Sequence, residues 1–309
     1  MKDKKLRIAF VWDWNPEFWQ AYTWSDGLAA AVVELQKRGH EVRAYTDSEK
    51  MIPNPMVELL PITEMDGTWP DVFLHWADMT RPHLWKHLEY NKPMALCFAG
   101  GERITIQTEE WDHIFVESNT YYDTFKEKGF PVSMAFGTNT DLFKPVQQTK
   151  IFDTLFPATF AGWKRHNMFA EATRDMLACA VGYMYDTHEQ ECWQVCIDAG
   201  NLVLPHVSAQ VLQRMYAATR TVAITSESIG GSQRTVLEAL AMNIPCIVTD
   251  SDKYDYEGVI RVEANADAVR QAILDNKDRV MDTREHILNT WSHIQYADAL
   301  EKGLLDLCR

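Results

Sequence analysis

Short β-branched or aromatic runs alternate with amphipathic segments along nearly the whole chain, and this alternation limits the possible folds more than any other feature. The first cycle shows it: residues 6–11 form an apolar run, residues 28–37 have the spacing of an amphipathic helix, and Gly39 stands near the expected helix C-cap. Parallel strands need long, usually helical crossovers between them. The pattern therefore predicts an α/β protein built from doubly wound parallel sheets.

The alternation falls into two blocks. The predicted strands of the first block cover residues 41–45, 72–74, 94–98 and 113–117, with helices at 83–89 and 119–128. After a polar, proline-bearing stretch at 137–154, the second block has strands at 155–160, 202–204, 221–225 and 245–249, with helices at 167–180, 208–218 and 233–243. We therefore expect two domains, residues 1–147 and 148–289.

Composition restricts the function. The chain has 309 residues and a formal net charge of -14, which disfavours a broad nucleic-acid footprint because phosphate binding needs clustered Lys and Arg. The apolar run at residues 8–11 is too short for a signal peptide or a membrane span, so we expect a cytoplasmic protein. Cys192 and Cys196 lack a second ligand pair at zinc spacing, and no metal site is predicted.

Two glycine- or aromatic-rich loops follow predicted strands in the first block. Trp12, Trp14, Trp19 and Trp24 follow the first strand, and they either pack this domain or form a binding surface. Gly100 and Gly101 follow another strand, where they make a plain turn or line a ligand site.

A glycine-rich turn marks the second block. Gly230, Gly231 and Ser232 stand between a strand and a helix, where free backbone N–H groups favour an anion such as phosphate, although such turns are also common without a ligand. Glu238 lies in the following helix among apolar residues. It lies either at a solvent edge or in a site where a ligand's hydroxyl pair donates to it, because an unpartnered buried charge costs several kcal/mol.

The turn and its helix, with the sequence LEALAMNIPCIVTD at residues 237–250, resemble the retaining glycosyltransferases of the GT-B fold, especially family 4. The resemblance extends to residues 28–46, 113–145, the stretch FAGWKRHN at 160–167, and 291–307. One departure concerns spacing: the family's two motif glutamates usually have seven residues between them, whereas Glu227 and Glu238 have ten.

The resemblance implies two Rossmann-like domains facing a central crevice. Residues 1–147 would form the acceptor side, residues 148–289 would bind the nucleotide sugar, and a C-terminal helix at 290–309 would cross back onto the first domain. The implied reaction moves a hexose or related sugar from a UDP- or GDP-sugar to a hydroxyl group with retention, and it needs no metal or other cofactor. The acceptor would be a saccharide, a small molecule or a lipid-linked molecule.

The resemblance also implies residue roles. Glu238 would bind the ribose hydroxyls, Glu227 would reach the sugar hydroxyls, and Lys164 and Arg165 would neutralise the departing diphosphate. The backbone of Gly230, Gly231, Ser232 and Gln233 would hold the distal phosphate, and Arg234 would also contact the nucleotide. His75 lies near the position of a family histidine, where it faces the crevice or serves as a hydrogen-bonding core residue. The four tryptophans, Gly100 and Gly101 would lie on the acceptor side.

Three alternatives stay open. The same chemistry could act on a modified base in nucleic acid, as in phage-type DNA glycosyltransferases. The scaffold could instead carry a sugar-nucleotide epimerase, which needs no acceptor. The third alternative is a non-catalytic binding subunit, which would not release nucleoside diphosphate from the donor.

Overall fold

The structure is a computed structural model that describes residues 4–12, 27–46, 59–77, 92–98, 111–184, 190–227, 233–249 and 256–309. The chain divides into two compact units. The first holds Met1–Gly137 and Trp291–Arg309, and the second holds Thr138–Ile229 and Gln233–Thr290.

The described part of the first unit contains one parallel sheet. Its strands are β1 (Arg7–Trp12), β2 (Glu41–Thr46), β3 (Leu59–Pro61), β4 (Val72–Ala77), β5 (Met94–Phe98), β6 (His113–Val116) and β7 (Val132–Met134), in the order β3-β2-β1-β4-β5-β6-β7. The helices α1 (Gly27–Lys37) and α2 (Asn119–Glu127) pack in this unit together with a helix from its C-terminal segment. In β1, Ile8 and Phe10 pack in one apolar cluster while Ala9 and Val11 pack in another. Both faces of the strand are therefore buried, as parallel sheets require.

The second unit contains another parallel sheet. Its strands are β8 (Phe152–Pro157), β9 (Ala178–Val181), β10 (Leu202–Leu204), β11 (Thr219–Ile224), β12 (Cys246–Val248) and β13 (Ile260–Arg261), in the order β10-β9-β8-β11-β12-β13. The helices are α3 (His166–Ala172), α4 (Gln190–Asp198), α5 (Ala209–Ala217), α6 (Arg234–Ala241), α7 (Ala266–Asn276) and α8 (Arg284–Thr290). The strand order reverses between the adjacent strands β8 and β11, where Leu155 lies beside Val222.

The last helix, α9 (His293–Leu307), belongs to the first unit although it follows the second in sequence. Its Leu300 and Leu304 are buried in the same apolar cluster as Ile8 of β1. Arg38 reinforces the packing, because its guanidinium lies 2.7 Å from Asp298 and 2.8 Å from Glu301. The core of the first unit is thus completed by residues from the end of the chain.

The predicted fold class is confirmed, since both sheets are parallel and helices connect their strands. The predicted helix at 167–180 is wrong: α3 ends at Ala172, Asp175 takes a positive φ of 69°, and residues 178–181 form β9. The predicted strand at 155–160 is displaced, because β8 begins at Phe152 and ends at Pro157, whose ring removes a backbone donor. The helix expected at 83–89 lies outside the described residues.

Candidate functional site

The most informative place in the second unit is the point where the strand order reverses. In doubly wound sheets the loops after the two strands at such a point leave in opposite directions and open a ligand-binding crevice at the strand C-termini. Here the described residues that follow the two strands are 158–165, after β8, and 225–227, after β11, with Gln233 immediately before α6. They contain four residues that the sequence predicted for the site: Lys164, Arg165, Glu227 and Gln233.

Hydrogen bonds join the two loops. The Glu227 N–H donates to the Trp163 carbonyl over 2.7 Å. The Thr225 hydroxyl lies 2.9 Å from the Lys164 carbonyl and 3.2 Å from the Arg165 carbonyl. These bonds hold residues 163–165 in a fixed position relative to Thr225 and Glu227.

Arg165 has an unusual backbone conformation. Its φ of 55° places it in the left-handed region, which a residue with a Cβ adopts at a cost of about 1–2 kcal/mol. Its carbonyl accepts the N–H groups of Met168 and Phe169, so the strained residue is also the N-cap residue of α3. The side chain bonds through Nε to Glu227 Oε1 over 3.1 Å. Strain of this kind concentrates at functional sites.

Lys164 is a buried cation. Its Nζ donates to Gln233 Oε1 over 2.6 Å and lies 3.8 Å from the centre of the Trp163 ring. Burial holds the pKa of Lys164 well below its usual value of 10.5, and no carboxylate of the described residues forms an ion pair with the ammonium group. An anionic ligand would supply the charge that the surroundings lack.

Glu238 lies on α6 and is buried. This burial excludes the alternative that Glu238 lies at a solvent edge of the helix. Its Oε2 accepts a hydrogen bond from the hydroxyl of Tyr216 over 2.8 Å. The helix begins at Arg234, and Gln233 is its N-cap residue. Lys164, Arg165, Glu227, Gln233, Arg234 and Glu238 thus all belong to the second unit, four of them on the joined loops.

His75 lies in the first unit, within β4, two residues before the strand ends at Ala77. The imidazole is buried, its ring centre is 5.0 Å from that of Trp111, and its Nε2 has no hydrogen-bond partner among the described residues. Burial lowers the pKa of His75 to about 3, so the ring is neutral at physiological pH.

Several predicted site residues lie outside the described residues: Trp14, Trp19, Trp24, Gly100, Gly101, Gly230, Gly231 and Ser232. Trp12 is the last residue of β1. The acceptor-side residues and the glycine turn therefore stay predictions.

Sequence reasoning missed three residues that support the site. Trp163 lies under the Lys164 ammonium, Thr225 joins the two loops, and Tyr216 holds Glu238. A signal existed only for Trp163, as an aromatic residue next to the basic pair in a loop. Thr225 and Tyr216 lie in an apolar strand pattern and an amphipathic helix pattern, where each is typical of the core.

The described residues contain neither a cluster of metal ligands nor a helix suited to a membrane. No group of three or more His, Cys, Asp and Glu side chains there is arranged to hold a metal ion. No helix in the described ranges combines the length and the hydropathy that crossing a membrane requires.

No protein-family model and no curated protein sequence matches the chain. Solved structures do resemble it. A glycosyltransferase from Rickettsia africae ESF-5 has a TM-score of 0.72 and 14% identity over 98% of this chain and 99% of its own. AviGT4, a glycosyltransferase involved in avilamycin A biosynthesis, has a TM-score of 0.72 and 13% identity over 98% of both chains. HepE from Anabaena, in complex with UDP-glucose, has a TM-score of 0.70 and 11% identity over 97% of this chain and 100% of its own.

At such low identities these similarities establish the fold. The chain has the GT-B fold of two Rossmann-like units with parallel sheets, as the sequence predicted.

Proposed function

We propose that the chain is a retaining, metal-independent glycosyltransferase that moves a hexose or related sugar from a nucleoside-diphosphate sugar to a hydroxyl group. The observation that carries the proposal is the buried Lys164 ammonium, which has no carboxylate partner among the described residues and lies where the strand order reverses. The similarity to two glycosyltransferases, and to HepE with bound UDP-glucose, supports the reaction class and a UDP-sugar donor.

Lys164 and Arg165 would bind the diphosphate. In the reaction the bond between the anomeric carbon and the phosphate oxygen breaks, the acceptor oxygen bonds to that carbon, and the acceptor proton passes to the departing phosphate. Negative charge grows on the diphosphate as the bond breaks. A buried, fixed cation stabilises this charge more than a solvated one, because the local dielectric is low and little reorganisation is needed.

Glu238 and Glu227 would bind the hydroxyl groups of the donor. The Glu238 carboxylate would accept from the ribose hydroxyls, since a carboxylate accepts several hydrogen bonds. Glu227, which is bonded to Arg165, would bind the transferred sugar. We further propose that the backbone of Gly230, Gly231, Ser232 and Gln233 holds the distal phosphate, with Arg234 as an additional contact.

We assign the acceptor, a saccharide, small molecule or lipid-linked molecule, to the first unit. Trp12, Trp14, Trp19, Trp24, Gly100 and Gly101 would contact it, because aromatic faces stack on sugar rings. His75, neutral at physiological pH, would contribute a hydrogen bond rather than a positive charge. The cytoplasmic location stays a prediction.

A thermal-shift screen with UDP, GDP and their sugar conjugates tests the proposal. A ligand at 100 times its dissociation constant adds roughly 2.7 kcal/mol of stability. We expect Glu238→Ala to lose most of this shift, and Glu171→Ala, an exposed carboxylate on α3, to keep it. An unchanged response in Glu238→Ala would reject the ribose role.

Product analysis then separates the alternatives. A glycosyltransferase releases nucleoside diphosphate and transfers the sugar, whereas an epimerase returns a sugar nucleotide without an acceptor. Binding without either product indicates a non-catalytic subunit. Transfer to duplex DNA would identify a nucleic-acid acceptor.

A further inference from the structure

We propose that Tyr216 is a positioning residue that orients the Glu238 carboxylate and thereby makes the site select ribonucleotides over 2′-deoxyribonucleotides. This inference rests on the proposed function, because it assumes that a nucleoside diphosphate binds at Glu238.

The Tyr216 hydroxyl lies between two acceptors. It is 2.8 Å from Glu238 Oε2 and 3.3 Å from the carbonyl of Thr235, both on α6. A phenol has one proton to donate. The Glu238 carboxylate is the nearer acceptor, so the hydroxyl donates its hydrogen bond to Glu238, and a hydrogen bond to a carboxylate belongs to the stronger, charge-assisted class.

The phenol itself has little freedom. Tyr216 is fully buried at the C-terminal end of α5, and its ring makes an edge contact with Phe143 at 5.7 Å between centres. A tyrosine side chain has only two rotatable angles to its ring, and close packing fixes both. The hydroxyl therefore presents a fixed donor to the carboxylate.

A fixed donor on one oxygen restrains the orientation of the carboxylate. The remaining acceptor lone pairs of Glu238 then point in set directions, which suits the paired hydroxyls on adjacent carbons of a ribose. A 2′-deoxyribose lacks one of these hydroxyls. Without the Tyr216 bond the carboxylate loses a contact that orients it, and the preference for the hydroxyl pair should weaken.

The diphosphate contacts involve other residues. Lys164 and Arg165 lie on the loop after β8, whereas the Tyr216 hydroxyl contacts Thr235 and Glu238 of α6. Loss of the phenol should therefore change ribose discrimination while leaving the affinity for a deoxynucleotide almost unchanged. If Tyr216 had a purely structural role, its loss would instead weaken the binding of both nucleotides equally.

The experiment measures dissociation constants of the full chain by calorimetry for UDP and dUDP, and for GDP and dGDP. We expect wild type to prefer the ribonucleotide by about tenfold or more, since a hydrogen bond to a charged group is worth roughly 1.5–3 kcal/mol. In Tyr216→Phe we expect the ratio to fall to about threefold or less, with the dUDP constant unchanged within about twofold. Tyr296→Phe, a buried tyrosine of the first unit, serves as the matched control and should keep the wild-type ratio.

The outcomes are distinguishable. If wild type binds none of the four diphosphates, the proposed function fails and the inference fails with it. If wild type binds but Tyr216→Phe keeps the full ratio, or weakens both nucleotides equally, the positioning role is rejected and the proposed function survives. Should Tyr216→Phe not fold, Glu238→Gln decides. If Tyr216 orients the side chain, it holds the amide oxygen and leaves the NH2 group, which accepts no hydrogen bond, toward the ribose, so the ratio should fall; an unchanged ratio overturns the inference.

Discussion

Single polar residues inside apolar surroundings carry most of the functional information in this chain. Glu238 was identifiable from the sequence because a carboxylate among Leu and Ala is costly without a purpose. Lys164 was identifiable only through the resemblance, because nothing in its neighbours indicates that its ammonium is buried. Tyr216 gave no signal, since tyrosine at a helical core position is common.

Replacement of Lys164 should separate binding from stability. Lys164→Met should weaken nucleoside diphosphate binding at least about tenfold, because a charge-assisted contact is lost. The free energy of unfolding should stay within about 1 kcal/mol of wild type, since removal of a buried charge offsets the lost bond to Gln233. Calorimetry and urea unfolding measure the two quantities.

Lys150→Met is the control for this prediction. Its Nζ bonds to the Thr219 carbonyl at the start of β11, the opposite end of the strand from the site. The variant should bind nucleotide like wild type. Equal weakening in both variants would contradict a specific role for Lys164.

The lowered pKa of Lys164 predicts a pH dependence. Folding disfavours the ammonium, so between the lowered pKa and about 10.4 the unfolded chain binds more protons than the folded one. The stability contribution of this residue should therefore rise with pH across that window. Any stability advantage of Lys164→Met over wild type should therefore shrink between pH 7 and pH 9.5. The nucleotide affinity of wild type should also fall with rising pH, because the Lys164 ammonium group is lost. An advantage that grows with pH would contradict the assigned sign.

At the scale of elements, the sequence predicted most of the long periodic or apolar runs and missed several, although not all, of the shortest strands. Residues 94–98 and 202–204 are strands with the predicted bounds. β3, β7 and β13 have three residues or fewer and were missed, because such runs show no alternation. The helix predicted at 167–180 wrongly included most of β9, because the apolar residues from Leu177 to Val181 continue the helix pattern in the sequence. The positive φ of Asp175 lies between α3 and β9 in the structure.

The packing of α9 on β6 depends on Gly303. A Cβ at this position would lie 2.6 Å from the Phe115 ring, which is buried and has little room to move. Gly303→Ala should therefore destabilise the protein by about 1–3 kcal/mol in urea unfolding, as overpacked cores do. Gly162→Ala meets no atom within 4 Å and should be neutral in the same measurement. A neutral Gly303→Ala would show that the helix can shift away from the sheet.

At the scale of the whole molecule, the two units should respond separately to mutation. Leu300→Ala removes a fully buried side chain of α9, and large-to-small core changes of this kind cost about 2–5 kcal/mol. Because the nucleotide is assigned to the second unit, its dissociation constant should stay unchanged at temperatures where the variant is folded.

Leu274→Ala changes an exposed residue of α7 and is the matched control. It should leave both the free energy of unfolding and the nucleotide dissociation constant unchanged. A loss of nucleotide affinity in Leu300→Ala would show that the first unit contributes to donor binding.

The position of α9 also governs when the protein can fold during its synthesis. A ribosome releases the strands of the first sheet early, but the helix that covers its apolar face emerges only after the entire second unit has been translated. The nascent first unit must therefore stay incomplete, with an apolar surface in need of protection, until α9 has been translated.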